Sequence, residues 1–347
     1  MKVTRIIRKV LNNIRFYKSS LAEWGWDSIK NFWAVKRGFS KLTIDVLGIT
    51  KENQNDYLSD KEYRNGHPYN GAYSSIIDNK LYLPLLMDDY KEYLPEYYFF
   101  IDEYGLLELN DEKRRVDYEA FFERLSENKI VCLKHCYSSL GKGFMLVKIE
   151  NDKIFVNGKE SSKNEIIAIL KESVNYIVTE YIYQHKYASN ICSTALNTIR
   201  FVFIYDGENK TFKLVRSFHR FGCNGSVVDN LAAGNGICAF VDIDKGVLSN
   251  RSIVNFEDKK NQIIYDVVHP DNNVLLTGIA LPRFFEIRDK IIEILNKKSF
   301  LKYCGFDVAV TEDGFKIVEI NSLPDLTISQ PEGGFLKEPW MRKFFKQ

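Results

Sequence analysis

Apolar residues in the first eighteen positions fall at Val3, Ile6, Ile7, Val10, Leu11, Ile14 and Tyr17, the three- and four-residue steps of a helix, with basic residues largely between them. The spacing predicts a basic amphipathic helix. Its stripe either packs on the body of the protein or lies on a membrane surface. From there to about residue 75, aromatic and polar residues alternate without a period, which predicts short helices, and "GHPYNGAYSS" (66–75) reads as a loop. "SIIDNKLYLPLLMDDY" predicts a helix interrupted near Pro84. At residue 130 the period changes. "KIVCLKH", "FMLVKIE", "KIFVN" and "YIVTEYIY" read as strands, and "CYSSLGKG" as a small-residue loop. "SSKNEIIAILKES" reads as a helix whose Ser162 and Glu165 have the spacing of a capping box. Further strands are expected over 198–205, 212–219 and 237–243, and a helix over 280–297 with Pro282 near its first turn. A final strand pair, 304–310 and 315–321, is joined by "TEDG". The whole is a mixed α+β pattern without internal repeats.

The chain has 347 residues, 45% hydrophobic and 27% charged, which fits two domains or one domain with lobes. Aromatics at 14% suit a protein that buries large rings or handles planar ligands. A net charge of +2 gives no reason to expect a nucleic-acid partner. The charge is uneven: residues 1–20 carry Lys2, Arg5, Arg8, Lys9, Arg15 and Lys18 and no acid, so the remainder is slightly acidic. The cysteines (132, 136, 192, 223, 238, 304) sit mostly in apolar runs, with no CxxC pair and no zinc-finger histidine interval. Reduced, partly buried thiols in the cytoplasm are therefore expected. The start lacks a secretory pattern, and no apolar run approaches the roughly 18 residues of a membrane span. The basic helix and the tail "PWMRKFFKQ" leave room for peripheral contact with the inner face of the plasma membrane.

The stretch "KIVEINSLPDL" (316–326) puts Glu319 and Asn321 on one face of a strand. A three-residue loop, Glu312 to Gly314 with Gly314 left-handed, sets Asp307 opposite Glu319. Asp307, Glu319 and Asn321 then converge. Two carboxylates and an amide oxygen are hard ligands for Mg²⁺, which prefers a few protein oxygens together with phosphate oxygens and water. The competing reading is the solvent-facing side of an edge hairpin. A magnesium site calls for phosphate-binding groups, and "LKHCYSSLGKGF" offers them: Lys134 on a strand, then a loop of serines, glycines and Lys142 whose backbone N–H groups can approach an anion. Neither GxxxxGK[ST] nor GxGxxG occurs there, and the loop alone also reads as a plain turn.

Three segments in this order resemble the ATP-grasp superfamily: the strand lysine before a Gly/Ser loop ("VCLKHCYSSLGKG"), a strand ending in an acid ("YIVTEYIYQH"), and an Asp strand followed by ExN ("FDVAVTEDGFKIVEINSLP"). "ALNTIRFVFIYDG", "VDNLAAGNGICAFVDIDKGVL", "VKRGFS" and "DNKLYLPLLMDDY" are most similar to the ATP-grasp proteins encoded with sugar-transfer and surface-polysaccharide genes, over about residues 35–330. The resemblance implies an ATP-grasp fold: two α+β lobes gripping ATP, with a mostly helical N-terminal extension. The implied division is an extension over 1–75, the N-terminal part of the core over 76–129, a small lobe with the glycine loop over 130–183, and a large lobe with the metal site and acceptor pocket over 184–347.

By the same resemblance Lys80 and Lys134 contact the nucleotide phosphates, and Ser138, Ser139, Gly141, Lys142 and Gly143 form a mobile loop over them. Glu180 accepts from the adenine amino group, the backbone of Tyr181 and Ile182 reads the adenine edge, and His185 meets the ribose or hinge. Arg200 and Lys134 act in catalysis, Arg200 steadying the transferring phosphoryl group. Asp307, Glu319 and Asn321 hold one or two Mg²⁺. The bland alternatives are an exposed Lys80, a strand-end Glu180 and a structural His185. For the acceptor, Arg216 and Arg220 share a strand face and flank His219, a carboxylate clamp in outline, and Asp229, Asn230 and Gly236 suit a ligand-approaching loop. The implied activity is an ATP- and Mg²⁺-dependent carboxylate–amine ligase, working through an acyl phosphate on a sugar-linked or amino acid carboxylate in capsule or O-antigen assembly. The alternatives are a kinase acting on a sugar hydroxyl, with Asp229 or His219 as base, and a non-catalytic nucleotide-binding subunit of a glycosyltransferase complex. ATP-grasp proteins are often dimers, so the resemblance leaves room for a homodimer without fixing the assembly.

Overall fold

The computed structural model describes residues 2–109, 113–138, 141–231, 235–256, 259–298, 300–331 and 333–346. Two antiparallel sheets dominate it. The first contains β1 (Tyr97–Asp102), β2 (Gly105–Glu108), β3 (Arg115–Val116), β4 (Ile130–His135), β5 (Met145–Glu150), β6 (Lys153–Val156), β7 (Lys159–Ser161) and β8 (Tyr176–Glu180), in the order β3-β2-β1-β8-β4-β5-β6-β7. The second contains β9 (Ile199–Asp206), β10 (Thr211–Gly222), β11 (Gly236–Asp242), β12 (Val247–Phe256), β13 (Lys259–Tyr265), β14 (Tyr303–Val310) and β15 (Phe315–Asn321), in the order β13-β12-β11-β10-β9-β14-β15. Residues 181–185 link β8 to the short helix Lys186–Ser189 and so to the second sheet.

Alternation of side chains builds each core. In the first sheet Phe99, Ile101, Val131, Leu133, Val147 and Val178 face Phe121 and Leu125 of the helix Tyr118–Asn128, and Ile166 and Leu170 of the helix Lys163–Glu172. The expected capping box is formed: Ser162 accepts from the N–H of Glu165, whose carboxylate accepts from the N–H of Ser162. In the second sheet Ile199, Phe201 and Phe203 of β9 pack with Ile287, Ile291 and Ile294 of the helix Phe284–Lys297. Val202 and Ile204, on the other face of β9, pack with Leu58, Tyr63, Phe335 and Phe345. The flanking segments 58–63 and 335–345 therefore cover the second sheet's far side, which explains why β9 reads as an unbroken apolar run.

Several expectations are corrected. The segment 73–93 is not one interrupted helix. It is a chain of short pieces, Tyr73–Ile77, Lys80–Tyr82, Leu83–Leu86 and Asp88–Tyr93. Asn79 caps one piece through its side chain, and Pro84, which cannot sit inside a helix, stands at the start of another. The long helix starts at Phe284 instead of 280, because Arg283 before it is left-handed. β1, β2, β3, β7, β12 and β13 were not anticipated. The loop of the last hairpin has four residues, with Val310 paired to Phe315, and Gly314 is not left-handed. Thr311 closes it, accepting from the Gly314 N–H at 3.1 Å through its hydroxyl. A register shift between Asp307 and Val308 leaves Val318 as an extra residue on β15, and this bulge restores the expected pairing of Asp307 with Glu319.

The N-terminal helix runs from Lys2 to Trp24. Phe16, Ser20 and Trp24 are its buried side, and Trp24 packs with Ala34, Val35, Phe39 and Ile49. The apolar stripe lies elsewhere: Ile6 is 61% exposed, and Ile7, Val10, Leu11 and Ile14 are also exposed. All the described cysteines are free and buried. Among the described residues no helix is long and apolar enough to cross a membrane.

Candidate active site

The two sheets face each other across a cleft enclosing about 1080 Å³ of open space. Each wall follows from strand alternation. Cys132 and Lys134, two apart on β4, and Leu146, which pairs with Cys132 from β5, form the first wall. Glu180, Tyr181 and Ile182 close one end as β8 runs out into the linker. Arg220 of β10, Asp307 of β14, and Val318 and Glu319 of β15 form the opposite wall, with Thr198, Val228, Asp229 and Asn230 beside them. The bulge at Val318 brings two successive residues, Val318 and Glu319, into the lining.

A charged network organises this wall. Asp307, 1% exposed, accepts from Arg200 Nε and Nη2, the latter at 2.7 Å, and from Arg220 Nη2 at 2.7 Å. Arg220 also donates to Thr198 Oγ1 at 2.6 Å and lies 3.5 Å from Asp229 Oδ2. Asp229 in turn accepts from the Thr198 N–H at 2.9 Å and hydroxyl at 2.5 Å. Glu319 Oε2 pairs with Lys80 Nζ at 3.1 Å, and Oε1 accepts from Asn321 Nδ2 at 3.3 Å. Arg200 Nη2 stands 3.9 Å from Glu319 Oε1. Lys80 Nζ also donates to the Ser138 carbonyl at 2.8 Å, tying the glycine loop to the acidic strand of the second sheet.

The electrostatics follow from these contacts. Burial opposes ionisation of Glu319, but Lys80, Asp307, Arg200 and Arg220 together hold it well below the usual carboxylate range. Burial pushes Asp307 up, against the pull of Arg200 and Arg220. Lys134 differs from both. Burial lowers its pKa, nearby Lys80 lowers it further, and it makes no ion pair or hydrogen bond among the described residues. Glu319 and Glu180 pull the other way from a distance, but neither pairs with it directly, so a desolvated ammonium faces the cleft and favours an anion there.

The sequence of residues 61–338 matches the family of sugar-transfer associated ATP-grasp proteins. The chain belongs to that family. No curated protein matches it. Among solved structures it is similar to the ATP-grasp ligase PsnB in complex with a phosphomimetic variant of its minimal precursor, Mg and ADP (10% identity, 80% of this chain and 62% of that one, TM-score 0.41). It is also similar to the D-alanine–D-alanine ligase of Bacillus anthracis (12% identity, 78% and 66%, TM-score 0.38) and to N5-carboxyaminoimidazole ribonucleotide synthetase in its ADP complex (12% identity, 73% and 46%, TM-score 0.38). The chain thus spans about half to two thirds of the length of these structures.

In this ATP-grasp protein the cleft gathers most of the residues expected from sequence: Lys80, Lys134, Ser138, Gly141, Lys142, Glu180, Tyr181, Ile182, Arg220, Asp229, Asn230, Asp307 and Glu319. Ser139 lies outside the described residues. Arg200 and Asn321 join through Asp307 and Glu319. Glu319 and Asn321 share one face of β15 and are the residues that could hold a hard divalent cation, although here Glu319 is engaged by the Asn321 amide N–H and by Lys80. Asp307 is already engaged by two guanidinium groups, so its first role here is to hold Arg200 and Arg220. Gly141 has φ +69° and abuts Val228 of the opposite wall, so a side chain there would be strained and crowded. Gly143, with φ +74°, packs on Tyr176 and does not line the cleft.

Four expected residues besides Gly143 are elsewhere. His185 caps the helix Lys186–Ser189 and lies 3.4 Å from Glu312. Arg216 reaches away to the Gly333 carbonyl at 2.8 Å and the Phe335 ring, so the arginine clamp is Arg200 with Arg220, not Arg216 with Arg220. His219 is fully buried on the other face of β10, bonded to the Tyr187 hydroxyl at 2.8 Å and stacked on Phe221. Gly236 starts β11 pressed against the backbone of residues 230 and 231, a packing glycine away from the cleft. Sequence reasoning missed Cys132, Leu146, Thr198 and Val318. The i, i+2 rule from Lys134 finds Cys132, and Leu146 follows from its pairing. Nothing local marks Val318, because the bulge is set by the partner strand.

Proposed function

We propose that this protein is an ATP- and Mg²⁺-dependent carboxylate–amine ligase acting on a sugar-linked or amino acid carboxylate in surface-polysaccharide assembly. The observation that carries the reading is Lys134: a desolvated cation with no hydrogen bond or ion pair among the described residues, lining the same cleft as Glu319. Triphosphate oxygens between them satisfy the lysine on one side and a cation on the other. Mg²⁺, when bound, neutralises phosphate charge. Lys134 and Lys80 hold the phosphates, Ser138, Gly141 and Lys142 line the approach, and the free backbone edge at Ile182 with the carboxylate of Glu180 suits an adenine. Arg220, fixed by Asp307 and Thr198, orients the acceptor carboxylate. The carboxylate oxygen takes the γ-phosphoryl group from ATP, releasing ADP. The amine then forms a C–N bond as the phosphate leaves and its proton departs to solvent.

The kinase reading is disfavoured by the missing base: His219 is sealed behind β10, and Asp229 is committed to Thr198. The exposed stripe of the N-terminal helix, flanked by Arg8, Lys9, Arg15 and Lys18, supports peripheral contact with an anionic membrane. The test of the ligase reading is an ADP-release screen pairing amino acids with uronic-acid acceptors, with Glu319→Gln as control. A ligase gives ADP, free phosphate and an amide in equal amounts, and the variant loses at least a hundredfold. ADP release with a phosphorylated sugar and no free phosphate would sink the proposal, as would no turnover with any pair.

A further inference from the structure

A second groove lies between the N-terminal helix and residues 64–78, enclosing about 1220 Å³. Arg8, Arg15 and Arg64 line it together with His67 and Ser74. Three guanidinium groups gather here with no ion-pair partner among the described residues. Asp78, the acid in the lining, gives both oxygens to Ser322, accepting from its N–H at 2.7 Å and its hydroxyl at 2.6 Å. All three arginines are solvent-exposed, and their common charge along one groove favours an anion between them. A second observation is independent of charge. Ser74 is 4% exposed, and its hydroxyl is buried with no hydrogen-bond partner. A buried hydroxyl without a partner is uncommon, and one lining a basic groove offers a donor to a bound oxyanion.

We propose that this groove binds a phosphate-bearing ligand, and that the phosphate belongs to the acceptor. The assignment as acceptor rests on the ligase reading; the anion site itself does not. Guanidinium forks match phosphate oxygens bidentately, which lysines do not. The groove is joined to the cleft through neighbouring residues of the chain. Asp78 lines the groove, and Lys80, two residues on, lines the cleft. Ser322, held by Asp78 and 3.3 Å from His67 Nε2, directly follows Asn321. A phosphate-linked sugar anchored by Arg8, Arg15 and Arg64 is therefore tied to the strand that carries Glu319 and Asn321. The phosphate is either soluble, as in a sugar phosphate, or the headgroup of a lipid; the recognising chemistry is the same.

The experiment uses the full chain and two probes: inorganic pyrophosphate by calorimetry, and phosphatidylcholine vesicles with or without one-fifth phosphatidylglycerol by co-sedimentation. Wild type is compared with R8A/R15A/R64A, the charge-conserving R8K/R15K/R64K, S74A and K134A, with circular dichroism checking the fold. Pyrophosphate affinity falls at least tenfold in the triple alanine variant, less in the lysine variant, severalfold in S74A, and little in K134A, which reports the cleft instead. Loss of binding to phosphatidylglycerol vesicles in S74A as well as in the triple alanine variant assigns the phosphate to a lipid; loss of pyrophosphate binding with vesicle binding kept in S74A assigns it to a soluble ligand. Equal binding of both probes by wild type and the triple alanine variant, or loss in K134A only, overturns the proposal. Mg·ADP stabilisation, measured on the same samples, separates the two readings: pyrophosphate binding through the arginines without any Mg·ADP response leaves the groove standing and removes the ligase.

Discussion

Lys134 carries a charge that the folded protein does little to welcome. Its desolvation destabilises the ligand-free state, is offset in part by Glu319 and Glu180, and is relieved further by an anion. Lys134→Met removes the charge while keeping the stem, so the ligand-free melting temperature stays level or rises by a few degrees, on the order of 1 kcal/mol. The stabilisation by Mg·ADP should fall to near zero, since binding energy shows directly as a shift in melting. A variant that loses stability without ligand and keeps its Mg·ADP shift would contradict this account. His219 makes the opposite kind of prediction. Burial pushes its pKa down to about 3. The unfolded chain binds a proton near pH 6.5 that the folded chain refuses. The contribution of His219 is therefore fully present above pH 6.5 and is lost as pH falls toward 3, at up to about 1.4 kcal/mol per pH unit. Denaturant titrations between pH 7 and 5, where most carboxylates stay ionised, should show a slope in wild type that is smaller in His219→Phe, the remainder including His67, whose pKa burial also lowers.

At the scale of elements, the helix Lys2–Trp24 separates two functions along one surface. Its buried contacts recur at four-residue steps, Phe16, Ser20 and Trp24. The stripe of Ile7, Val10 and Ile14 follows a different line and is left exposed, as are Trp26, Ile29 and Phe32 just beyond. Contiguous exposed apolar surface of this kind, edged with arginine and lysine, is rare without a partner. Binding to vesicles containing anionic lipid should depend on this helix, weaken at high salt and fall at least tenfold on deletion of residues 1–20. Flotation is the measurement, and equal binding by the truncated protein would remove the membrane from the account. The last hairpin teaches a different lesson about elements. The expected pairing of Asp307 with Glu319 is present, yet it is reached through a four-residue loop and a bulge, not through a left-handed Gly314. Strand periodicity marks which residues share a face; it does not reveal where a ladder slips.

In the molecule as a whole, the cleft depends on contacts across great sequence distance. Lys80 bonds to Ser138 of the glycine loop and to Glu319 near the chain's end. Arg200 and Arg220 both close on Asp307. The chemistry of the site was legible in the chain: Lys134 before the Gly/Ser loop, the acid Glu180 where β8 ends, and the Asp, Glu and Asn of the last hairpin all meet in or beside the cleft. Strands β4, β5, β6, β8, β9, β10, β11, β14 and β15 were legible too, some by a period of two from burial of one face, others, such as β9 and β14, as apolar runs buried on both faces. The partners were not. Arg216 and Arg220 are equivalent by alternation, but Phe335, from the C-terminal segment, draws one away and Asp307 holds the other. His219 looked like a ligand by its neighbours and is a core residue by its face. The sequence by itself determined the family, the strand faces and the inventory of charged groups, since these are encoded locally by residue type and spacing. Only the tertiary structure decided which charge meets which, and which basic groups, Lys134 in the cleft and three arginines beside the first helix, have no ion-pair partner among the described residues. Pairing is set by register and by long-range packing, and neither has a local signature.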